Sequence, residues 1–114
     1  MGNVYMLNAR VTDKNGNKAI RKIRADKTMT LVELCEFIMF SFSFIHEHSY
    51  EFLLNGSKLP EDVPIDSFHL DEGQEVTLHY DFGDDWMFKI LIEKVRNSNY
   101  ANQLAILLLA VKGS

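Results

Sequence analysis

One cysteine and two prolines are all that the 114-residue chain contains of these residues. A lone thiol, Cys35, can form no internal disulfide, which fits a reducing compartment. Long apolar runs are missing as well. Phe37 to Ile45, interrupted by Ser41 and Ser43, and Leu104 to Val111 fall far short of the roughly 20 residues that a bilayer demands. The start, MGNVYM, has neither the basic nor the apolar region of a secretory signal, and Met6 stands where a myristoylation signal wants Ser or Thr. A cytoplasmic protein with no membrane span is the expectation. What is present is ordinary: an apolar share of 46% and a charged share of 25% match a soluble globular domain. A chain of 114 residues is long enough for one self-stabilising core without a metal or disulfide.

The formal net charge of −4 is unevenly spread. Residues 1–27 hold seven basic against two acidic side chains, a surplus of five, and the other 87 residues hold five basic against fourteen acidic ones. Clustered Lys and Arg attract phosphates, so Lys18, Arg21, Lys22 and Arg24 are candidate phosphate contacts. The alternative is a solvated hairpin that faces an acidic surface.

VYMLNARVT (residues 4–12) alternates so that Tyr5, Leu7, Ala9 and Val11 share one face of a half-buried strand. Asn15-Gly16 supplies a hairpin turn before a second strand over about Lys18 to Ala25. Thr30-Leu31-Val32-Glu33 reads as a capping box that opens a helix. Leu31, Leu34, Cys35, Ile38, Met39 and Phe42 form its core stripe, and Phe37, Phe40 and Phe44 form a second apolar line. That second line implies either burial under additional strands or a partner groove. Tyr50 to Asn55 alternates again, and Asn55-Gly56 then leads into SKLPEDVPID, where Pro60 and Pro64 exclude regular structure. A helical turn is expected at Ile65 to Phe68. A strand follows with Val76, Leu78, Tyr80 and Phe82 on one face, and a hairpin partner begins at Trp86 with Phe88, Ile90 and Ile92 on its apolar face. This apolar face is expected to pack on Leu34, Ile38 and Phe42. Residues 100–111 suit a helix or a buried strand equally.

This order is similar to that of a ubiquitin-like β-grasp, an α+β fold, with one extra strand at 86–95 that either displaces a neighbour of the closing strand or curls the sheet into an α-β roll. The expectation is a single domain over residues 1–114, with its core at about 4–95 and a C-terminal extension over 96–114.

Few residues form a recognisable chemical site. Asp-Phe-Gly at 81–83 is shared with kinases, but there is no glycine-rich loop and no catalytic-loop motif to accompany it. Asp81, Asp84 and Asp85 are spaced like no EF-hand, and the plain reading is that Asp84 and Asp85 cap a turn through backbone N–H groups. His46, His48, His69 and His79 lack the cysteine partners or HExxH spacing of a zinc site. Cys35 lies on the core stripe, as a buried apolar residue would. If strand 50–55 runs antiparallel to 75–82, the start of the first meets the end of the second, which brings His48 toward Asp81. His48, Asp81, Asp84, Asp85 and Trp86 are therefore the candidate polar site, either structural or functional. No cofactor and no bound metal are implied.

Tyr80 to Trp86, YDFGDDW, followed by MFKILIEKV, resembles the Ri-plasmid ORF-three-like family, which occurs on plasmids, in mobile elements and in chromosomes. Ala19 to Ile23 is similar to the family's IWRRI-type strand, Thr30 to Ile38 to its TLxELHxxI helix, and His48 to Phe52 to its HLHEF-type segment. Ile20 stands where the family has tryptophan, Cys35 or Glu36 where it has histidine, and the tryptophan usual before the HLHEF segment is missing. Members commonly continue into an acidic, glycine-containing segment, whereas this chain ends at Ser114, so a truncated or degenerate member is the expectation on that point. The resemblance implies no established activity. The reading it leaves is a non-enzymatic interaction module of a plasmid or mobile element that binds an unknown protein partner. The alternatives are nucleic-acid binding through the basic hairpin, and a metal-dependent enzyme using His48 with the aspartate turn.

Overall fold

Alternation in the first segment makes β1 (Asn3–Thr12), and Gly16, at φ 85°, lets the chain reverse into β2 (Lys18–Asp26). The Asp13 carboxylate holds that turn, accepting from the amides of Asn15 and Asn17 at 2.8 and 2.9 Å. The computed structural model describes residues 3–97. The expectation for residues 100–111 lies outside them.

Helix α1 (Leu31–Ser41) starts at the capping box read from the sequence. Thr30 Oγ1 accepts from the Glu33 amide at 3.2 Å, and Glu33 Oε1 accepts from the Thr30 amide at 2.9 Å. The helix stops without a glycine. Ser43 takes φ 60°, its amide donates to Phe40 O, and the Phe44 amide donates to Met39 O, a Schellman closure with serine at the left-handed position.

The remaining elements are β3 (Tyr50–Leu54), β4 (Ser57–Lys58), a short 3-10 turn over Ile65–Phe68, β5 (Glu75–Tyr80) and β6 (Trp86–Asn97). β4 corrects the expectation that prolines exclude regular structure after Asn55-Gly56. Two residues pair back onto β3 before Pro60, and Thr30 and Pro64 form an isolated bridge. The loop then docks on the helix start, where Glu61 O accepts from the otherwise orphaned Val32 amide at 3.0 Å.

All strands of the described residues join one sheet in the order β2-β1-β6-β5-β3-β4, every neighbour antiparallel. β6 lies between β1 and β5, so the additional strand displaces the contact between them and leaves those two strands parallel but separated. The helix covers one face. Tyr5, Leu7, Ala9, Ile23, Phe52, Leu78, Phe88, Ile90 and Ile92 are buried there with Leu31, Leu34, Cys35, Ile38 and Met39. Burying each of the larger side chains contributes roughly 1.5–3 kcal/mol. Phe42 and Trp86 join this core half-buried, Phe42 at 5.2 Å from the Phe88 ring and Trp86 edge-on to Phe44 at 5.1 Å.

Phe82 behaves otherwise than expected, and the second helical line divides between the two readings given for it. Phe82 lies beyond the end of β5, in the turn, and is 49% exposed instead of continuing the buried face. Of the second helical line only Phe44 packs inward, while Phe37 and Phe40 are 46% and 82% exposed, because among the described residues a single sheet covers one side of the helix.

Candidate functional site at the β5–β6 hairpin

Tyr80 ends β5 facing the core, and its hydroxyl organises the connection between helix and β3. It donates to Ile45 O and accepts from the Glu47 and His48 amides at 3.0 and 3.2 Å. The following turn, Asp81–Asp85, connects the Tyr80–Trp86 pair. Asp81 and Asp85 both adopt positive φ, 62° and 55°. The carboxylate that organises this turn is Asp81: Oδ1 accepts from the Gly83 amide at 3.1 Å and the Asp84 amide at 3.4 Å, and its own amide donates to Ser49 O at 2.8 Å. The expectation that Asp84 and Asp85 cap the turn is corrected accordingly. Asp84 is exposed, and Asp85 turns its carboxylate toward His79.

The antiparallel register of β3 and β5, Tyr50 opposite Tyr80, sets His48 beside Asp81, with Nε2 at 3.7 Å from Oδ2. The His48 ring also stands edge-on to Tyr80 at 5.8 Å. Asp84 and Asp85 do not join this pair, and Trp86 packs on Phe44. The proposed cluster therefore divides. Its larger charged part centres on His79, which alternation turns away from the Tyr80 face. His79 Nδ1 lies 3.0 Å from Glu51 Oε2, and Nε2 lies 2.7 Å from Asp85 Oδ1. Burial opposes the charged imidazole, but the hydrogen bonds to Glu51 and Asp85 outweigh it and raise the pKa above 6.5. Sequence reasoning passed over His79 as a member of this site. The signal was available in the same register argument, since Tyr50 opposite Tyr80 places Glu51 opposite His79.

Phe82 lies against the His79 ring at 4.8 Å with the planes tilted by 42°. Met87, the cross-strand neighbour of His79, is 40% exposed. The tip thus sets two exposed apolar side chains beside an imidazole held between two carboxylates.

Cys35 is wholly buried, and its thiol, pushed up to about 12 by burial with smaller contributions from Glu61 and Glu36, is held protonated. His46 Nε2 lies 3.8 Å from it. Among the described residues no group of three or more His, Cys, Asp or Glu side chains is arranged to hold a metal ion, and no helix is long and apolar enough to cross a membrane. His69, at φ 51°, lines an open cavity of about 300 Å³ with Asn3, Tyr5, Leu70, Asp71, Glu72 and Val95. There the Tyr5 hydroxyl, pushed up to about 12 by burial and its contact with Asp66, donates to Asp66 Oδ1 at 2.5 Å.

Three of the four candidate phosphate contacts, Lys18, Lys22 and Arg24, lie on the open face of β2, and Arg21 lies on the other. Alternation in β2 turns Arg21 to the helix side, where Nε donates to Ser41 O at 2.9 Å and the guanidinium lies 5.0 Å from the Phe42 ring centre. Lys22 pairs with Glu93 at 2.8 Å and Arg24 with Asp26 at 3.1 Å. Lys18 is exposed.

A family model described as plasmid pRiA4b ORF-3-like protein matches residues 3–113. A crystal structure of a protein of unknown function from Methanosarcina mazei Go1 superposes with a TM-score of 0.71 at 21% identity, covering 88% of this chain. This chain spans 65% of that protein's length, and the likeness concerns the fold. Comparison with curated proteins returned no match.

Proposed function

Because the chain belongs to the plasmid pRiA4b ORF-3-like family, we propose that it acts as a non-enzymatic interaction module of a plasmid or mobile element. The module is a β-grasp frame with β6 inserted, it works in the cytoplasm, and its contact surface for a protein partner is the β5–β6 tip. Removing β6 from the strand order leaves β2-β1-β5-β3-β4, the order of a β-grasp, which supports the frame. The cytoplasmic reading rests on the lone buried thiol.

The observation that carries the contact surface is the pair of exposed side chains Phe82 and Met87, fixed against His79 and bordered by Glu51 and Asp85. Single exposed apolar residues are ordinary. Here one stands on the turn and the other on β6, both beside His79 and within a charged border, the composition of an interface centre with a polar rim. The nucleic-acid reading draws less support, since Arg21 is engaged by the helix end and Lys22 and Arg24 already have acidic partners. The metal-dependent reading draws less still, since His48 and the aspartates divide between two pairs.

Affinity capture from the native cell, using the intact chain beside Phe82→Ser and Phe40→Ser variants, tests this reading. Partners retained by Phe40→Ser and lost from Phe82→Ser are the expected result. Equal capture by both variants, or loss only with Phe40→Ser, moves the contact surface elsewhere. A mobility shift with duplex DNA that weakens with salt, by a log-log slope of about −0.9 per phosphate neutralised, would instead favour the basic hairpin.

A further inference from the structure

The His79 imidazole has a carboxylate oxygen at each nitrogen, Glu51 Oε2 at 3.0 Å and Asp85 Oδ1 at 2.7 Å. A neutral imidazole carries one N–H and one lone pair, and an ionised carboxylate only accepts. A neutral ring therefore satisfies one contact and sets lone pair against lone pair at the other. The charged ring donates to both. It also carries Phe82 at 4.8 Å, and a charged imidazole is drawn to an aromatic ring more strongly than a neutral one. Among the described residues β3 presents Glu51 to His79, the turn presents Asp85 and Phe82, and β6 presents Met87 opposite it with Lys89 two residues on, whose ammonium donates to Thr77 Oγ1 at 3.3 Å.

Resting on the reading of this tip as the contact surface, we propose that His79 is a proton-operated latch on it. Charged, it holds Asp85 and Phe82 in the arrangement described above, and on losing its proton it releases Asp85 and, with it, Phe82. Asp85 is the contact that opens because its side chain is 62% exposed against 27% for Glu51, so water readily replaces the imidazole there. Its backbone, at φ 55°, is in a region that a non-glycine residue leaves easily once a restraint is gone. A contact surface held in place loses less freedom on binding than a loose one. Partner affinity consequently falls as the pH rises through the latch.

The test needs no partner. Site-resolved NMR of the intact chain is followed from about pH 5 to about pH 8, the range in which histidine titrates. The Phe82 ring and Asp85 amide signals are expected to move with the His79 ring and at its midpoint, and Asp85→Asn is expected to lower that midpoint. In His79→Gln the Phe82 ring signals should stay flat across the range. Phe82 and Asp85 signals that stand still while His79 titrates, or a His79 midpoint unmoved by Asp85→Asn, overturn the latch. Should His79→Gln fail to fold, the exposed Asp85→Asn change gives the decision alone. Failure here leaves the contact surface, tested by capture, unaffected, and failure of capture leaves the latch to stand on its titration.

Discussion

Replacing Tyr80 by phenylalanine removes one oxygen from a ring that is 1% exposed and leaves the aromatic packing against Phe44 in place. Three hydrogen bonds go with that oxygen, one donated to Ile45 O and two accepted from the Glu47 and His48 amides. Each contributes about 0.5–1.5 kcal/mol net. The partners lie in an exposed segment, so water takes up part of their bonding and the penalty for buried unsatisfied groups is not incurred in full. A loss near 2 kcal/mol follows, and in a domain of this size it lowers Tm by about 8–16 °C. Urea denaturation followed by circular dichroism measures it, the midpoint moving and the slope unchanged. Amide exchange at Glu47 and His48 should rise in parallel, since both amides lose their acceptor. Tyr50→Phe is the control, because its hydroxyl reaches only Glu61, at 3.5 Å. A Tyr80→Phe stability within about 0.5 kcal/mol of the parent would refute the claim that this hydroxyl holds the connection, since that is the range of an unremarked surface change.

Ser43→Gly should stabilise the domain by about 0.5–1 kcal/mol in thermal unfolding, because φ 60° is strained for serine and free for glycine, whose larger unfolded entropy offsets part of the gain. Thr30→Ala removes the side-chain half of the capping box, the acceptor for the Glu33 amide, and should cost about 1 kcal/mol in the same assay. With its pKa raised above the unfolded 6.5, His79 contributes stability that is fully present below that pH and lost as pH rises through the folded value, so denaturation midpoints should fall over that window and flatten in His79→Gln. Cys35 should resist a thiol reagent at neutral pH in the native protein and react once denatured, because its thiol is buried and pushed up to about 12.

Much of this protein is legible along the chain because its signals are local. The alternation of β1, β5 and β6, the Thr30–Glu33 capping box, the Asn-Gly turns and the helical turn at Ile65–Phe68 all depend on residues within a few positions of one another, where backbone sterics and short hydrogen bonds decide. The approach of His48 to Asp81 was also within reach, since antiparallel pairing of two strands fixes which ends meet.

Tertiary structure alone decided the rest. Periodicity marks an apolar stripe but not how many layers cover it, so Phe37 and Phe40 stayed exposed once the sheet filled only one side of the helix. The helix end was hidden because Ser43 takes the left-handed position that glycine usually advertises. The place of β6 between β1 and β5 is set by which edges bury the most apolar surface together, a comparison across more than seventy residues of chain. Division of the acidic turn follows from the same register. Alternation sends Tyr80 inward and His79 outward, so Asp81 was left to hold the turn beside His48 while Asp85 met a histidine on the opposite face.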